Sequence, residues 1–197
     1  MPVAPEDGKV MLYETSRVTL RRLTIKDREE FIGLVRESSE FLHPWVKMPA
    51  TLDEFDEYYQ RFNGRTAECT LICIRASGAI AGTVSISDMI RGPYQRATVG
   101  YNAFAPSARQ GYMTEGFNLV FRFAFGDLGL HRLEADIQPN NEASLKLAQR
   151  IGLRREGYSP GFVCIGGAWK DHERWAVTSD MIPSRWKMSQ ELKLCEK

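Results

Sequence analysis

The chain has 197 residues, 43% apolar and 26% charged, which are the proportions of an ordinary folded domain and exclude a disordered, collagen-like or fibrous chain. Twenty-six Lys and Arg against 25 Asp and Glu leave a net charge of +1, too little for the bulk basic field that drives unspecific attachment to nucleic acid or anionic membrane. No apolar run approaches the roughly 20 residues that cross a bilayer, and residues 1–10 carry Glu6 and Asp7 where an export leader would be apolar. The expectation is a cytoplasmic protein that touches neither membrane nor nucleic acid. Cys69, Cys73, Cys164 and Cys195 form no CxxC pair, and reduced thiols are expected.

In chain order, residues 1–12 are polar and read as a loose lead-in, and Val18–Leu23 alternates as a short strand. Thr24-Ile25-Lys26-Asp27 has the spacing of a capping box, and Phe31, Leu34, Val35 and Ser38 continue at helical spacing, which predicts a helix over Lys26–Ser38. Thr51-Leu52-Asp53-Glu54 repeats the signature ahead of a stripe of Phe55, Tyr58, Tyr59 and Phe62, read as core packing, that stops at Asn63-Gly64. Between these helices, Phe41-Leu42-His43-Pro44-Trp45-Val46 is an apolar, proline-broken loop suited to a pocket wall. Three β-rich runs follow, Glu68–Ile74, Ala79–Ser87 and Ala97–Phe104, and form an antiparallel meander. A helix over Met113–Phe125, a strand over Arg132–Gln138, a helix over Glu142–Arg150 and a hairpin of Leu153–Ile165 with Trp169–Thr178 complete an α/β chain with a mixed sheet. Residues 183–197 form a C-terminal extension, either a docked helix or a frayed tail.

GxxxxGK[ST], GxGxxG, HExxH, GxSxG and EF-hand patterns are all missing, and His43, His131 and His172 are scattered, so no metal site is expected. The informative stretch is Pro106-Ser107-Ala108-Arg109-Gln110-Gly111-Tyr112-Met113-Thr114-Glu115-Gly116, which joins a strand to a helix start. The first turn of a helix leaves N–H groups unpaired and carries partial positive charge, so this junction is either an ordinary turn or a seat for a pyrophosphate beside Arg109 and Gln110. In the second stretch, Pro139-Asn140-Asn141-Glu142-Ala143-Ser144, an Asn caps a helix and Ser144 stands one turn inside it, either as a bland exposed residue or as a chemical one.

Taken together, Arg-Gln-Gly-Tyr-Met, the later Pro-Asn-Asn-Glu-Ala-Ser and Arg-Ile-Gly-Leu-Arg-Arg-Glu-Gly-Tyr resemble the GNAT superfamily of acetyl-CoA-dependent N-acetyltransferases, and within it the ribosomal-protein-alanine type (RimJ/RimL). The likeness runs from about Thr15 to Met181 and takes in Phe41–Trp45, Val99-Gly100-Tyr101 and Gly167–His172. It implies one GNAT domain over residues 13–182, with a mixed, mostly antiparallel sheet of about seven strands flanked by about four helices. It further implies that the pantetheine of acetyl-CoA lies between the Thr98–Phe104 and Arg132–Gln138 strands, touching Tyr101, Asn102 and Phe104. The pyrophosphate would sit on the amides of Arg109, Gln110, Gly111, Tyr112, Met113 and Thr114. In the family's loop pattern, Q/R-x-x-G-x-G/A, this chain has Ala108 first, Gly111 fourth and Met113 last; the Met113 side chain either crowds the phosphate or turns into the core.

By the same resemblance, Asn141 bonds the pantetheine arm and Ser144 is similar in position to a residue that protonates the departing thiolate. His43 and Trp45, with Tyr101 at the floor, are read as the acceptor pocket, since aromatic walls and a titratable ring suit a peptide N-terminus; core packing is the equal alternative for Trp45. A Glu that serves as base in some relatives aligns near Val163; Glu68, Asp88 and Glu14 are unranked alternatives, while Trp169 and His172 are assigned to stabilising the hairpin. The expected reaction is direct attack of a neutral amine on the thioester. An α-amine near pKa ~7.7–8.0 is partly neutral at pH 7, whereas a lysine near ~10.4 costs about 4 kcal/mol to deprotonate. The leading acceptor is therefore the N-terminal α-amino group of a protein, a ribosomal one by the resemblance, acted on by a monomer or homodimer. A small amine as acceptor, or an acyl-CoA-binding module without turnover, are the alternatives.

Overall fold

The computed structural model describes residues 11–182, so the expected tail over residues 183–197, most of the lead-in and Cys195 lie outside the described residues. The strands are β1 (Met11–Glu14), β2 (Val18–Arg22), β3 (Glu68–Ile74), β4 (Ile80–Ile90), β5 (Arg96–Ala103), β6 (Arg132–Ile137), β7 (Arg154–Ile165) and β8 (Ala168–Thr178). The helices are α1 (Arg28–Glu37), the four-residue α2 (Ser39–Leu42), α3 (Leu52–Gln60), α4 (Tyr112–Phe121), which runs on as a π-helical turn over Arg122–Asp127, and α5 (Glu142–Arg150). All strands join one eight-stranded sheet in the order β1-β2-β3-β4-β5-β6-β8-β7. The strand beyond those read from sequence is β1, whose four half-exposed residues are too few to show an alternation.

Thr24 and Asp27 do form the capping box ahead of α1, and Thr51 Oγ1 accepts the Glu54 N–H at the start of α3. The two sheet faces bury separate cores. Under α4 and α5 lie Val84, Val99, Phe117, Val120 and Leu133; under α1 and α3 lie Phe31, Phe55, Leu71 and Phe104. Phe31 is the hub of the second core, with ring centroids 5.4 Å from Phe55 and 5.6 Å from Phe104, both edge to face. Cys69 and Cys73 share this core as free thiols, and burial pushes them up to about 12 and about 11. No helix among the described residues is long and apolar enough to cross a membrane.

Every neighbouring pair is antiparallel except β5–β6, joined in parallel through the α4 crossover. That pair is also short: it is bonded only at Arg96↔Arg132, Ala97↔Leu133 and Thr98↔Glu134. Beyond Thr98 the two strands part. Val99–Ala103 of β5 stays bonded to β4, and Ala135–Ile137 of β6 stays bonded to β8, so the sheet opens in its middle without losing either half.

Candidate active site

A cavity of 690 Å³ occupies this opening. Its walls come from the segment around Phe41–Met48, from β5 at Thr98–Ala103, from β6 at Ala135–Gln138, from Asn141 and Ser144 at the start of α5, and from the β7–β8 hairpin at Val163 and His172. The same space thus touches the parted strands and the proline-broken loop.

Strand register decides which backbone groups face it. The Phe104 N–H donates to Ala81 O at 3.0 Å, and the β4–β5 ladder continues in that register through Thr83↔Asn102 and Ser85↔Gly100. Bonded pairs alternate along an antiparallel ladder, so Asn102 and Gly100 also turn their N–H and C=O toward β4. Tyr101 and Ala103 turn theirs the other way, into the gap where β6 has gone. An amide pair there can hold a developing oxyanion, since buried donors aimed at new charge cost no reorganisation.

Side chains alternate across the same strand. The Tyr101 ring packs edge-on against Phe117 and its hydroxyl donates to the Ser144 carbonyl at 3.0 Å, which ties β5 to α5 across the gap; burial pushes that hydroxyl well above the ordinary phenol value, against the opposing pull of the bond. Asn102 points to the opposite face, with Nδ2 3.5 Å from Met48 Sδ. Phe104 is fully buried in the α1–α3 core with both backbone groups bonded, to Ala81 O and from Ser107 N, so the expected cofactor contact at Phe104 is corrected: it braces the end of β5 from below.

At α5, Asn141 caps the helix: its Oδ1 accepts the Ser144 N–H at 3.1 Å, leaving Nδ2 without a protein acceptor among the described residues. Ser144 is part-exposed in the cavity wall, and its Oγ likewise has no protein partner among the described residues. Trp45 O accepts from Gln138 Nε2 at 3.2 Å, so the end of β6 holds the proline-broken loop over the cavity. His43 stands exposed in that loop. The aromatic stripe of α3 divides: Phe55 is core, while Tyr58 and Phe62 reach the cavity.

After β5 the chain makes a turn at Arg109 (φ 61°) and Gly111 (φ 82°), and α4 begins at Tyr112. The first intrahelical bond runs from the Glu115 N–H to Gly111 O. The amides of Gly111, Tyr112, Met113 and Thr114 meet no protein acceptor among the described residues, which is the arrangement that receives an anion. Met113 is buried in the α4 core against Gly82, so its side chain does not crowd the turn. Gln110 Nε2 is spent on Pro106 O at 3.1 Å. Arg17, which sequence reasoning missed, reaches the turn from the β1–β2 connection: Nη2 donates to Gln110 O at 2.9 Å, Nη1 lies 3.4 Å from Glu115, and the guanidinium stacks 4.8 Å over the Tyr112 ring.

The acids considered from sequence do not line the cavity. Glu68 pairs with Arg22, Glu14 pairs with Arg75, and Asp88 lies in an irregular stretch of β4. The acid that does line it from the sheet is Asp136, with Oδ1 2.6 Å from Arg174 Nε in a contact not aligned for an N–H···O bond. The alternation Leu133-Glu134-Ala135-Asp136-Ile137 carried that signal: the apolar positions enter the α4–α5 core, which turns Asp136 to the other face.

The family model that matches is the acetyltransferase (GNAT) domain, over residues 17–154. The chain is 32% identical to the probable N-acetyltransferase YjcK of Bacillus subtilis (strain 168), over 81% of this chain and 93% of that protein. It is 26% identical to the [ribosomal protein uS5]-alanine N-acetyltransferase of Escherichia coli (strain K12), over 87% and 93%. Its fold matches Mycobacterium smegmatis RimJ in complex with CoA-disulfide at a TM-score of 0.77 and 22% identity, covering 84% of each chain.

Proposed function

The chain belongs to the GNAT acetyltransferase family, and from that premise we propose that this acetyl-CoA-dependent N-acetyltransferase acts in the cytoplasm on the N-terminal α-amino group of a protein, a ribosomal protein first among them. The observation that carries the reading is the single cavity that runs from the parted strands β5 and β6 to the loop at His43 and Trp45.

In this reading the pyrophosphate rests on the amides from Arg109 to Thr114, with Arg17 bracing the turn in place of the side chain that Ala108 lacks. Pantetheine enters between β5 and β6, where Asn141 Nδ2 is available as a donor. The amine attacks the thioester carbonyl, the Tyr101 and Ala103 amides hold the oxyanion, and Ser144 Oγ stands by the sulfur as the thiolate leaves. His43 and Trp45 wall the side from which the peptide enters.

Incubation with acetyl-CoA and a panel of free N-terminal peptides, lysine peptides and small amines, read by thiol release, tests the acceptor class. Release with free N-termini alone is expected; release with small amines alone would replace the reading, and tight CoA binding without release from any amine would return the protein to a binding module. Ser144→Ala is expected to lower turnover ten-fold or more at unchanged CoA affinity, as judged by steady-state rates and calorimetry. Unaltered turnover would remove Ser144 from the chemistry.

A further inference from the structure

The cavity holds a histidine for which the mechanism above has no use. His172 on β8 is 3% exposed, yet its ring forms part of the cavity wall. Trp175 and Val177 of β8 enter the α4–α5 core, so alternation puts His172 and Arg174 on the other face, beside Asp136 of the paired β6. Its Nδ1 lies 3.0 Å from the carbonyl of Lys170. A carbonyl only accepts, so Nδ1 carries the ring proton in that bond, and Nε2 of the neutral ring is left with its lone pair. Among the described residues Nε2 has no protein donor. Phe162 lies edge-on to the ring with centroids 6.2 Å apart.

We propose that His172 Nε2 is the proton acceptor for the incoming amine. The inference rests on the acceptor entering this cavity, as in the reading above, and goes beyond it by naming the base. An acceptor arrives as an ammonium and is drawn to the Asp136 carboxylate. One N–H proton passes to Nε2, giving an imidazolium and a neutral amine. The nitrogen lone pair then forms the C–N bond, the C–S pair leaves on sulfur, and the second surplus proton on nitrogen ends on that sulfur as free thiol. The imidazolium returns its proton to solvent. The titratable or charged side chains that share the cavity wall with the ring are Glu40, His43, Lys47, Tyr58, Arg61, Tyr101 and Asp136, and Arg174 flanks it on its own strand.

His172→Asn is the discriminating variant, because the asparagine amide can still donate to the Lys170 carbonyl and lacks only the basic nitrogen. With whichever amine the wild type acetylates, the variant is expected to lose at least 30-fold in kcat/KM at pH 7, with acetyl-CoA affinity unchanged. The deficit should close to within about three-fold as the pH passes the acceptor's own pKa, where solvent has already taken the proton. No deficit at pH 7, or a deficit that stays constant with pH, would overturn the proposal. The acceptor panel on the wild type separately decides the acceptor class, so failure of the α-amino reading is distinguishable from failure of the base. Should the variant not fold, nitrogen-15 spectra of the wild-type imidazole at pH 8 must show protonated Nδ1 and bare Nε2; a proton on Nε2 would overturn the assignment.

Discussion

Valine at position 111 is expected to raise the CoA dissociation constant about 30-fold, the largest loss of cofactor affinity that a single substitution in this fold should produce. Gly111 has φ 82° and is the last residue before α4. A β-branched residue in this left-handed region is strained by roughly 1–2 kcal/mol, and the turn relieves that strain by rotating the peptides on either side. Those peptides carry the free amides of Gly111 and Tyr112, so relief misdirects the donors; two of them lost at about 1 kcal/mol each amount to about 30-fold. The space around the residue is not the obstacle, since a Cβ would meet only Arg17 Nη1, at 3.9 Å. Gly111→Asn, which tolerates positive φ, should therefore retain most of the affinity. Calorimetric titration of the two variants with CoA separates these cases. Equal affinity of Gly111→Val and wild type would mean that the turn's backbone does not hold the cofactor.

Replacing Asp27 with alanine should cost about 3–5 kcal/mol of stability, the largest effect expected away from the site. Arg21 and Asp27 form a two-pronged pair, both contacts 2.8 Å, with Asp27 1% exposed and Arg21 6% exposed. The carboxylate also accepts the Thr24 N–H at 2.8 Å and the Thr24 hydroxyl at 2.9 Å, so it closes the cap of the first helical turn as well. Without it a guanidinium stays buried with no counter-charge. Burial alone would push the Asp27 carboxyl up, and the Arg21 guanidinium with the Thr24 donors more than reverses that, leaving it below its ordinary value. A carboxyl depressed in the folded state stabilises the fold above its unfolded pKa of about 3.9, and that contribution disappears as pH falls through the folded value. Urea unfolding should therefore show the full gap between wild type and variant at pH 7 and a smaller one below about pH 4. A gap under 1 kcal/mol at pH 7 would mean that Arg21 finds another partner.

The four longer helices and most strands were legible in the sequence because each has a local cause: the Thr24 and Thr51 caps, the 3.6-residue stripe of α3, the Gly166-Gly167 turn between β7 and β8; the four-residue α2, inside the stretch read as a loop, was not. The half-exposed β1 was not, having neither length nor alternation. Of the site, the Asn141 cap, Ser144 and the Gly111 turn were legible for the same local reason, and so was the strand opening once the family resemblance had been drawn. What stayed hidden depends on register and on contacts across long stretches of chain. No local pattern says that β5 and β6 part after Thr98, that Tyr101 and Ala103 rather than Asn102 and Phe104 turn their amides to the gap, or that Arg17 crosses 93 residues of sequence to the Gln110 carbonyl. His172 read as a hairpin residue because its hairpin is local, whereas the cavity it faces is assembled from α5, β5, β6 and the loop at Trp45.

The most direct test of the account is a crystal structure of the protein with CoA. It should place the diphosphate oxygens within hydrogen-bonding distance of the Gly111–Thr114 amides, with the thiol emerging between Tyr101 and Ser144. A nucleotide seated elsewhere, or a turn whose amides stay unengaged while CoA is bound, would contradict it.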